Sequence, residues 1–534
     1  MSGDVRCDAI VLGAGVSGLR ALYELGRRGL SVRGIEAAPD VGGTWYWNRY
    51  PGSRTDSEAW AYCYGFSPEL VEEWDWADRL PSQEQVYAYL GHVADRFDLR
   101  DKIDFDTRIK SAAFDEEADL WILTAEDGRI YRTTYFVAAT GVLSAPYVPD
   151  FAGIEQFEGE CHMAALWPGR PVDFAGKRVA IVGSGSTGIQ LLPLVAASAA
   201  HVSLLQRTPN YVLPSRNHPI EKESLRALKT NYPRLRKQIL DHPFALPINP
   251  PNRTFDSVAT GAERIRILEL GWEAGGFRFM FETFDDIFTD LRTNNLVTEF
   301  IRNKIRTIVT DPATAESLCP DYVFGAKRPP TGTYYYEAFN RENVTLVDVR
   351  KNPIRRITPK GIALGDTEMP FDMIIFATGF DAAVGAMSRM DVRGVGGLTM
   401  QARWADGAET YLGLMVDGFP NLMIVQGPQS PFGNAPPVIE AMVDWIADAI
   451  DAARQAPRGR IEPTAAAVDR WISHIHDVYA GTLFSAAIDA GAWFMGANIP
   501  DRKPTVLFHF GGTRAYLDDI GRVQAAGYEG IDFS

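Results

Sequence analysis

Cysteine, long apolar runs and excess positive charge are all scarce in this sequence, and each shortage excludes a class of protein. The 534 residues include only four cysteines, too far apart for a zinc or Cys-x-x-Cys spacing, so we expect free thiols at Cys7, Cys63, Cys161 and Cys319. No apolar run reaches the roughly 18 residues of a membrane span, and no cationic leader precedes residues 9–19, which predicts a cytoplasmic protein without an export signal. The 68 acidic residues against 53 Lys and Arg exclude a general nucleic-acid binder.

Two glycine-rich loops, each between a strand pattern and a helix pattern, are the most informative features of the chain. Residues 9–12 lead into the loop 13–18, and residues 179–182 lead into the loop 183–188. Glycines at this spacing allow a tight turn, a close approach of the backbone to a pyrophosphate, and close packing of helix on strand. Because the strand-loop-helix context is present twice, we predict two dinucleotide sites. Their candidate residues are Gly13, Gly15 and Gly18 in the first and Gly183, Gly185, Ser186, Thr187 and Gly188 in the second.

The residue 23 positions after the first glycine of each loop distinguishes the two sites. In the first unit this residue is Glu36, whose carboxylate can accept hydrogen bonds from both ribose hydroxyls, which suits FAD or NAD. In the second it is Gln206, followed by Arg207 and Thr208, where no carboxylate repels a 2′-phosphate and a guanidinium can bind one. The second site therefore suits NADPH. The alternative for Arg207 is an exposed arginine at a strand end.

The strand and helix patterns predict an α/β protein with two Rossmann-like dinucleotide-binding domains, for FAD and NADPH, and a helical insertion. Residues 219–325 lack strand-like alternation and contain helix-like runs such as 299–306, whereas strand patterns resume at 344–347, 373–376 and 422–425. We therefore expect both nucleotide domains to be discontinuous. The predicted divisions are a FAD-binding domain of residues 1–145 and 381–534, an NADPH-binding domain of residues 146–218 and 326–380, and an insertion of residues 219–325.

A glycine- and aromatic-rich loop, residues 42–56, follows the first nucleotide unit. It offers flat apolar faces for an isoalloxazine ring, donors for the ring carbonyls, and one carboxylate, Asp56. The candidate cofactor-binding residues in it are Gly43, Thr44 and Trp45. From composition alone, the same aromatic residues would equally well fill an apolar core.

The same loop resembles the type I Baeyer–Villiger monooxygenase pattern of Gly-Gly-x-Trp, four residues, Tyr-Pro-Gly, three residues and Asp. All positions match, at Gly42, Gly43, Trp45, Tyr50, Pro51, Gly52 and Asp56. Similarity continues through 324–328, 376–381 and 493–500, and is greatest to the cyclohexanone and phenylacetone monooxygenase branches of the family.

The family's second motif, Phe-x-Gly, three residues, His, three residues and Trp-Pro, is met with one departure. Phe157, Gly159 and the pair 167–168 match, but Met163 occupies the histidine position and His162 precedes it. Either a local register shift keeps an imidazole available there, or the role of the histidine in linking the domains has been lost.

The resemblance implies tightly bound FAD, an NADPH site, and insertion of one oxygen atom of O₂ beside a ketone carbonyl. The product would be an ester or lactone, formed through a peroxyflavin and a Criegee intermediate. Arg328 matches the family's catalytic arginine and Asp56 the carboxylate that positions it; a guanidinium suits the stabilisation of oxyanions because it stays charged. Lys327 would share the 2′-phosphate with Arg207, and Trp493 matches a tryptophan of a mobile loop that reaches NADP⁺.

Residues 430–437 align with the family loop whose side chains line the ketone site, which gives Phe432, Gly433 and Ala435 as candidate pocket residues. Bulkier residues often occupy this loop in cyclohexanone-type enzymes, so the small Gly433 and Ala435 predict room for cyclic or bulky ketones. The alternative is that these small residues serve a turn beside the neighbouring asparagine and prolines.

Two other functions are compatible with parts of the sequence. A flavin-containing monooxygenase acting on amines or sulfides shares both glycine motifs but typically lacks the Trp-Pro ending at 167–168, and a non-catalytic nucleotide-binding redox sensor fits the departure at Met163. His474 and His476 have no Cys, His or acidic partner at a metal-ligand spacing, so we predict no metal site. The expected partners are a small ketone and O₂, without nucleic acid or membrane, for a monomer or weak homo-oligomer.

Overall fold

The first glycine loop connects a strand and a helix of a parallel βαβ unit in the computed structural model, which describes residues 4–500 and 502–534. Residues 9–11 of the first strand are fully buried because neighbouring elements cover both faces of it, which explains their continuous apolar run. The elements of this part are β1 (Val5–Leu12), α1 (Val16–Arg27), β2 (Val32–Ile35), α2 (Thr44–Trp47), α3 (Pro68–Glu73), α4 (Gln83–Arg96), β3 (Ile103–Asp104), β4 (Ile109–Asp115), β5 (Leu120–Ala125) and β6 (Ile130–Ala138).

The second glycine loop lies in a second βαβ unit, between β8 and α5. The chain from residue 146 to 218 contains β7 (Glu160–Met163), β8 (Arg178–Val182), α5 (Ser186–Ala196), β9 (His201–Gln206) and β10 (Leu213–Pro214). Strands stop at Pro214 and resume at Thr331. The intervening elements are α6 (Lys222–Thr230), α7 (Tyr232–Asp241), α8 (Gly261–Ala274), α9 (Arg278–Phe281), α10 (Leu291–Ile308) and α11 (Pro312–Leu318), as the sequence pattern predicted for this region.

After the helices the chain returns to the second sheet. This part contains β11 (Thr331–Gly332), α12 (Tyr335–Ala338), β12 (Val344–Asp348), β13 (Ile354–Thr358), β14 (Gly361–Leu364), β15 (Thr367–Pro370) and β16 (Met373–Phe376). The strand order β12-β9-β8-β16-β7 is parallel throughout, whereas β13, β14 and β15 form a separate antiparallel meander. The second sheet is therefore built from two separate stretches of chain.

The C-terminal part returns to the first sheet. It contains α13 (Gly385–Ser388), β17 (Asp391–Arg393), α14 (Met400–Arg403), β18 (Leu422–Ile424), β19 (Ser430–Pro431), α15 (Ala435–Ala453), β20 (Ile461–Pro463), α16 (Ala465–Ala480), β21 (Phe508–His509), α17 (Thr513–Ala525) and β22 (Ile531–Phe533). β17 and β18 pair with β4 and β6, which gives the order β17-β4-β5-β6-β1-β2-β3 with β18 beside β6. The first sheet thus also draws on two stretches of chain, while the predicted domain boundaries stay predictions.

Two large apolar clusters form the core. One lies around the first sheet and the C-terminal helices, and the other joins the second sheet to the helical insertion through residues such as Ile181, Trp272 and Phe279. The insertion also contacts the first cluster, because Tyr232 and Ile239 of α7 pack there. Among the helices of the described residues, none combines the length and the apolar character that crossing a membrane requires.

Candidate active site

The first glycine loop leaves no space for side chains at its outer glycines. A Cβ atom at Gly13, where φ is +110°, would lie 2.5 Å from the carbonyl oxygen of Ala139, and one at Gly18 would lie 1.8 Å from that of Gly13. Gly43 lies directly against this loop, since a Cβ there would be 2.9 Å from the Cα of Gly15. The structure therefore brings the first loop and the start of the 42–56 loop into backbone contact, which only glycine permits.

The second loop repeats this construction. A Cβ at Gly183 would lie 2.4 Å from the carbonyl oxygen of Ala377, and one at Gly188 would lie 2.1 Å from that of Gly183. A Cβ at Gly185 would meet nothing within 4 Å, so this middle glycine faces open space. That is the arrangement required where a pyrophosphate approaches the backbone.

Both helices that follow the loops begin without a capping side chain. Gly15 is the N-cap of α1 and Gly185 that of α5, and neither helix has an acidic residue in its first turn. The first N–H groups of a helix need acceptors, and the helix dipole favours an anion there. The two helix ends therefore fit two dinucleotide pyrophosphates.

Glu36 lies at the end of β2, beside the first loop, and is 6% exposed. Its Oε2 accepts a hydrogen bond of 2.7 Å from the N–H of Ala14, and its Oε1 accepts one of 2.8 Å from that of Ala38. Burial raises the pKa of the Glu36 carboxyl above its ordinary value, against the effect of these hydrogen bonds. Each oxygen keeps a further lone pair, so the carboxylate is held in place to accept hydrogen bonds from ribose hydroxyls.

Two cations without an anionic partner meet beside the second loop. Arg207 is exposed, Lys327 is half-buried, and neither forms a salt bridge with any of residues 4–500 or 502–534. Burial, with a smaller contribution from Arg207, lowers the pKa of Lys327 to about 8. The adjacent Thr208 is joined to the loop because its carbonyl accepts a 2.9 Å hydrogen bond from the Ser184 hydroxyl. This pair of cations is suited to a phosphate.

Arg328 and Asp56 form an ion pair across 272 residues of sequence, in which Nη2 of Arg328 donates to Oδ2 of Asp56 at 2.5 Å. The other carboxylate oxygen, Oδ1, accepts a 2.5 Å hydrogen bond from the Thr331 hydroxyl. The Arg328 guanidinium also lies 5.3 Å from the ring centre of Phe277. Because the Asp56 side chain is 6% exposed and that of Arg328 is 27% exposed, the carboxylate fixes one edge of the guanidinium and leaves the rest accessible.

The residues of the 42–56 loop divide between site and core. Thr44 is exposed, whereas Trp45 is 6% exposed and packs edge-on against Tyr62 with ring centres 5.5 Å apart. Nε1 of Trp45 donates to the Tyr62 hydroxyl at 3.3 Å. Burial raises the pKa of Tyr62 to about 12, with weaker effects from Arg328 and Asp56, so Tyr62 is neutral and adjoins the ion pair. Trp45 therefore belongs to the apolar core and reaches the candidate site through Tyr62.

The Tyr-Pro-Gly segment of this loop docks onto α5 of the second unit. The Tyr50 hydroxyl donates to Oε1 of Gln190 at 2.8 Å and accepts from the Thr187 hydroxyl at 3.4 Å. A Cβ at Gly52, where φ is +83°, would lie 2.9 Å from the Gln190 carbonyl oxygen and 2.7 Å from Leu194. The segment thus connects the two glycine-loop units, a role that the sequence alone did not indicate.

The strand of the second motif contains no register shift. β7 pairs with β16 without interruption, with His162 opposite Ile375 and Met163 opposite Phe376. Neighbouring strand residues face opposite sides, so Met163 packs in a small apolar cluster whereas His162 contacts Trp167, with ring centres 5.4 Å apart. Nε2 of His162 lies 3.2 Å from Oε2 of Glu160. The strand therefore contains no bulge at this point, and the His162 imidazole lies on the face opposite Met163.

Phe432 and Trp493 pack on each other, with ring centres 6.0 Å apart. Trp493 begins a short 3₁₀ turn, Trp493–Met495. Phe432 also contacts Phe244 of the insertion at 5.5 Å and Phe508 at 5.4 Å. The candidate ketone loop is thus part of an aromatic cluster shared by the insertion and the C-terminal segment.

The expectation that Gly433 leaves room in a pocket wall is not supported. A Cβ at Gly433 would lie 3.1 Å from the Thr513 hydroxyl and 3.4 Å from the carbonyl oxygen of Phe244, so the space beside this glycine is already filled. The next residue, Asn434, donates to the carbonyl oxygen of Ala61 at 2.6 Å, and α15 begins at Ala435. Gly433 therefore lies in the bend between β19 and α15, closely packed against its neighbours.

We expect Gly433→Ala to destabilise the protein by about 1–3 kcal/mol, because the new methyl group overpacks a filled site. The matched control is Gly521→Ala, since Gly521 lies within α17 and a Cβ there meets nothing within 4 Å. That control should stabilise the protein by up to about 1 kcal/mol through helix propensity. Thermal unfolding, monitored by the fluorescence of released flavin, measures the stability of each variant. Equal stability of the two variants would contradict the packing described.

His474 has His and acidic neighbours in space, although none lies at a metal-ligand spacing in the sequence. His509 and Asp519 lie beside it, and one ligand atom from each of the three residues falls within 4.8 Å of the others. The three residues come from separate elements, so the cluster has no sequence spacing that a motif search recognises. The neighbours of the Arg328 ion pair, Phe277 and Thr331, were missed for the same reason.

Comparison with known proteins gives consistent matches along the chain. A family model described as flavin-binding monooxygenase-like matches residues 7–241. A Baeyer–Villiger monooxygenase of Pseudooceanicola batsensis is 41% identical over 98% of this chain and 96% of its own length. Cyclohexanone 1,2-monooxygenase of an Acinetobacter species is 40% identical over 100% of this chain and 97% of its own. Phenazine N-monooxygenase of Lysobacter antibioticus is 39% identical over 98% of this chain and 96% of its own length.

Solved structures agree along the full length. The closed crystal structure of a cyclohexanone monooxygenase superimposes with a TM-score of 0.97 at 39% identity, covering 100% of both chains. A structure described as a complex of OTEMO with FAD and NADP gives a TM-score of 0.95 at 36% identity, again covering 100% of both chains. The two glycine loops, the ion pair and the paired cations described above therefore lie in a fold that these proteins share.

Proposed function

The chain belongs to the Baeyer–Villiger monooxygenase family, and on that premise we propose that it converts a ketone to an ester or lactone. The balanced reaction is ketone, O₂, NADPH and H⁺ giving ester or lactone, water and NADP⁺. The observation that carries the proposal is the Arg328–Asp56 pair, a guanidinium held at one edge and open at the other, in a chain with two loops that fit dinucleotides.

The residues of the two loops fit FAD at the first and NADPH at the second. When both cofactors are bound, NADPH would reduce FAD, and the reduced FAD would activate O₂. The first glycine loop, Glu36 at the ribose, and the adjoining turn at Gly43 and Thr44 would hold FAD, while Trp45 would support that turn from the core. The second loop, with Ser186 and Thr187 at the first turn of α5, would hold NADPH, and Arg207, Thr208 and Lys327 would bind its 2′-phosphate. No acidic side chain caps either helix, so both pyrophosphates meet free N–H groups.

Arg328 is the proposed catalytic residue, because attack on a ketone places negative charge on the carbonyl oxygen. Its guanidinium remains charged at any working pH and presents several donors in a fixed plane. Asp56 holds that plane from one side and is itself fixed by a hydrogen bond from the Thr331 hydroxyl, and Phe277 lies near the guanidinium. Donors that are oriented before the reaction stabilise developing charge without having to reorganise. Asp56 is therefore a positioning residue for Arg328.

The proposed substrates are cyclic or bulky ketones that pack against Phe432. Support comes from the aromatic cluster around Phe432 and from the relatives that are named for cyclohexanone and cyclopentanone. Gly433 no longer supports an enlarged pocket, because the space beside it is filled. Trp493 remains a proposed NADP⁺ contact, and its packing on Phe432 supports a ketone site adjacent to the NADP⁺ site.

One relative favours a second candidate, since a protein 39% identical to this chain is named phenazine N-monooxygenase. Oxygen transfer to an aromatic nitrogen would use the same two cofactors but would not require an oxyanion on a carbonyl. The test is NADPH oxidation in air with a panel of ketones, sulfides, amines and phenazines, with products identified by mass spectrometry. Esters or lactones support the proposal, N-oxides alone support the second candidate, and oxygen-independent binding without turnover supports a redox sensor.

We expect Arg207→Ala to raise KM for NADPH roughly tenfold to 150-fold, because losing one charge-assisted contact to phosphate costs about 1.5–3 kcal/mol. KM for NADH, which has no 2′-phosphate, should stay within about twofold in the same variant. Steady-state kinetics with both nucleotides measure the effect. Equal efficiency of NADH and NADPH in the unmutated protein would contradict the assignment of this site.

KM for NADPH should rise above pH 8. Lys327 has a pKa of about 8, so its ammonium loses its proton as the pH rises through this value, and the contact with phosphate is lost. A bound phosphate would favour the charged lysine, which means that affinity falls with rising pH and never the reverse. Lys327→Arg keeps its charge and should flatten the pH profile. A profile that is unchanged in Lys327→Arg, or equally steep with NADH, would contradict this role.

We also propose that the protein works in a reducing compartment, the cytoplasm, as a monomer or weak homo-oligomer. The support is that all four cysteines are free and that one of them, Cys161, is exposed. Exposed thiols persist where the glutathione and thioredoxin systems keep them reduced. Size-exclusion chromatography with light scattering over a range of concentrations tests the oligomeric state.

A further inference from the structure

A second cluster of chemically capable side chains lies apart from the cofactor loops and the Arg328 ion pair. It consists of His474 on α16, His509 on β21 and Asp519 on α17. One ligand atom from each residue lies within 4.8 Å of the other two. Two imidazoles and one carboxylate are a donor set that binds transition-metal ions in proteins.

The carboxylate of Asp519 is directed at both histidines. Its Oδ2 lies 3.2 Å from Nε2 of His474 and 3.8 Å from Nε2 of His509. The other oxygen, Oδ1, accepts a hydrogen bond from Arg522. Adjacent donors on a tetrahedral ion with bonds of about 2.0–2.1 Å lie about 3.3–3.4 Å apart, so the two observed distances lie on either side of that value.

An ordinary ion pair between His474 and Asp519 does not account for His509. The His509 side chain is 0% exposed, and neither of its ring nitrogens has a hydrogen-bond partner in the described parts of the chain. Its ring is instead stacked on Trp471, 5.7 Å away and tilted by 12°. Nearly all buried polar groups in proteins have a partner, so an unpaired buried imidazole beside a carboxylate points to a missing ligand.

We propose that His474, His509 and Asp519 bind one divalent transition-metal ion of the Zn²⁺ class through Nε2, Nε2 and Oδ2. Three protein ligands leave a fourth position for water on the exposed side of His474, whose side chain is 42% exposed. Imidazole and carboxylate ligands together favour Zn²⁺, Ni²⁺ or Cu²⁺ over Mg²⁺ or Ca²⁺.

The ion would hold together segments that also support the candidate ketone loop. β21, which contains His509, pairs with β19, so that His509 lies opposite Pro431. The N–H of Phe432 donates to the carbonyl oxygen of His509 at 3.1 Å. A metal that fixes His509 to α16 and α17 therefore acts on the backbone that positions Phe432. Its first measurable effect is on the stability of the C-terminal part of the protein.

The test uses the FAD-loaded full chain, purified without a polyhistidine tag and freed of metal by a chelator. Zn²⁺ is titrated in competition with a chromophoric chelator, and bound metal is counted by mass spectrometry after dialysis. We expect one Zn²⁺ per chain, and binding at least about 100-fold weaker in His474→Ala, since loss of even a supporting partner costs 10–100-fold. His474 is partly exposed, so this variant should fold, which the circular dichroism spectrum and bound flavin verify.

The matched control is His476→Ala, because His476 is exposed on the same helix two residues further on. This variant should bind Zn²⁺ as the unmutated protein does. Zn²⁺ should raise the unfolding temperature of the unmutated protein and of His476→Ala, but not that of His474→Ala. Asp519→Asn, which keeps the shape of the side chain, should also weaken binding. No bound Zn²⁺ in the unmutated protein, or equal loss in His476→Ala and His474→Ala, would overturn the proposal and leave the cluster as a His–Asp ion pair.

Discussion

Arg328→Ala is expected to bind FAD but to form ester or lactone at least about 10²–10³-fold more slowly, the effect of removing one donor to an oxyanion. The substitution removes the charge opposite the carbonyl oxygen and leaves the buried Asp56 with Thr331 as its hydrogen-bond partner. Product formation by gas chromatography and NADPH consumption should be measured separately, because the loss is predicted in oxygen transfer to the ketone.

Arg328→Lys separates charge from geometry. A lysine keeps the positive charge but has no planar set of donors, so we expect partial recovery of activity relative to alanine. Arg350→Ala provides a control, because Arg350 is an exposed arginine that forms longer contacts of 3.5 and 3.7 Å with Asp321 and Asp348. Its activity should match that of the unmutated protein. Near-normal lactone formation by Arg328→Ala would assign the catalytic role to another residue.

Gly18→Ala and Gly188→Ala are expected to remove different cofactors, although the local change is the same. The new methyl group would lie 1.8 Å from the carbonyl oxygen of Gly13 in the first variant and 2.1 Å from that of Gly183 in the second. Gly18→Ala should be purified without yellow colour. Gly188→Ala should keep FAD but should not be reduced by NADPH in a stopped-flow experiment without air.

Gly185→Ala completes the comparison. A Cβ there meets nothing within 4 Å, so the protein should keep its stability while affinity for NADPH falls, because the methyl group occupies space used by the pyrophosphate. A variant that keeps its circular dichroism spectrum but does not take up added FAD has lost the cofactor site, whereas a variant that loses the spectrum has failed to fold. Retention of FAD by Gly18→Ala, or its loss only in Gly188→Ala, would reverse the assignment of the two loops.

The two nucleotide units were predictable from sequence because their signals are local. Strand residues 9–12 and 179–182, the glycines that follow them and the amphipathic helices lie within short windows of chain, and the backbone itself requires glycine at Gly13 and Gly183. The helical insertion was predictable for the same reason, since α10 contains the periodic apolar residues that its pattern indicated.

Long-range contacts were not predictable in this way. Asp56, the partner of Arg328, lies 272 residues away in sequence, and only a resemblance connected the two. Nothing in the sequence indicated that the Thr331 hydroxyl also donates to Asp56. The His474 cluster depends on three elements whose packing no spacing reveals. Gly433 was misjudged because a sequence shows that a side chain is absent but not whether a neighbour, here Thr513, already fills the space.

The alternation of side chains along β7, by contrast, bears directly on whether His162 can supply an imidazole at position 163. Successive residues of a strand face opposite sides, so His162 cannot replace an imidazole at position 163 unless the strand bulges. Its regular pairing with β16 shows no bulge. His162 and Met163 therefore lie on opposite faces of β7, and Met163 packs among apolar residues.

Isotope labelling tests whether this chain inserts one oxygen atom of O₂ beside a ketone carbonyl. The purified yellow protein is incubated with NADPH and a cyclic ketone such as cyclohexanone under ¹⁸O₂ in unlabelled water, and the lactone is analysed by mass spectrometry. We expect a lactone that is heavier by one ¹⁸O, with the label in the ring oxygen and one NADPH consumed per lactone. Lactone without ¹⁸O, or NADPH consumption that yields no oxygenated ketone across the panel, would contradict it.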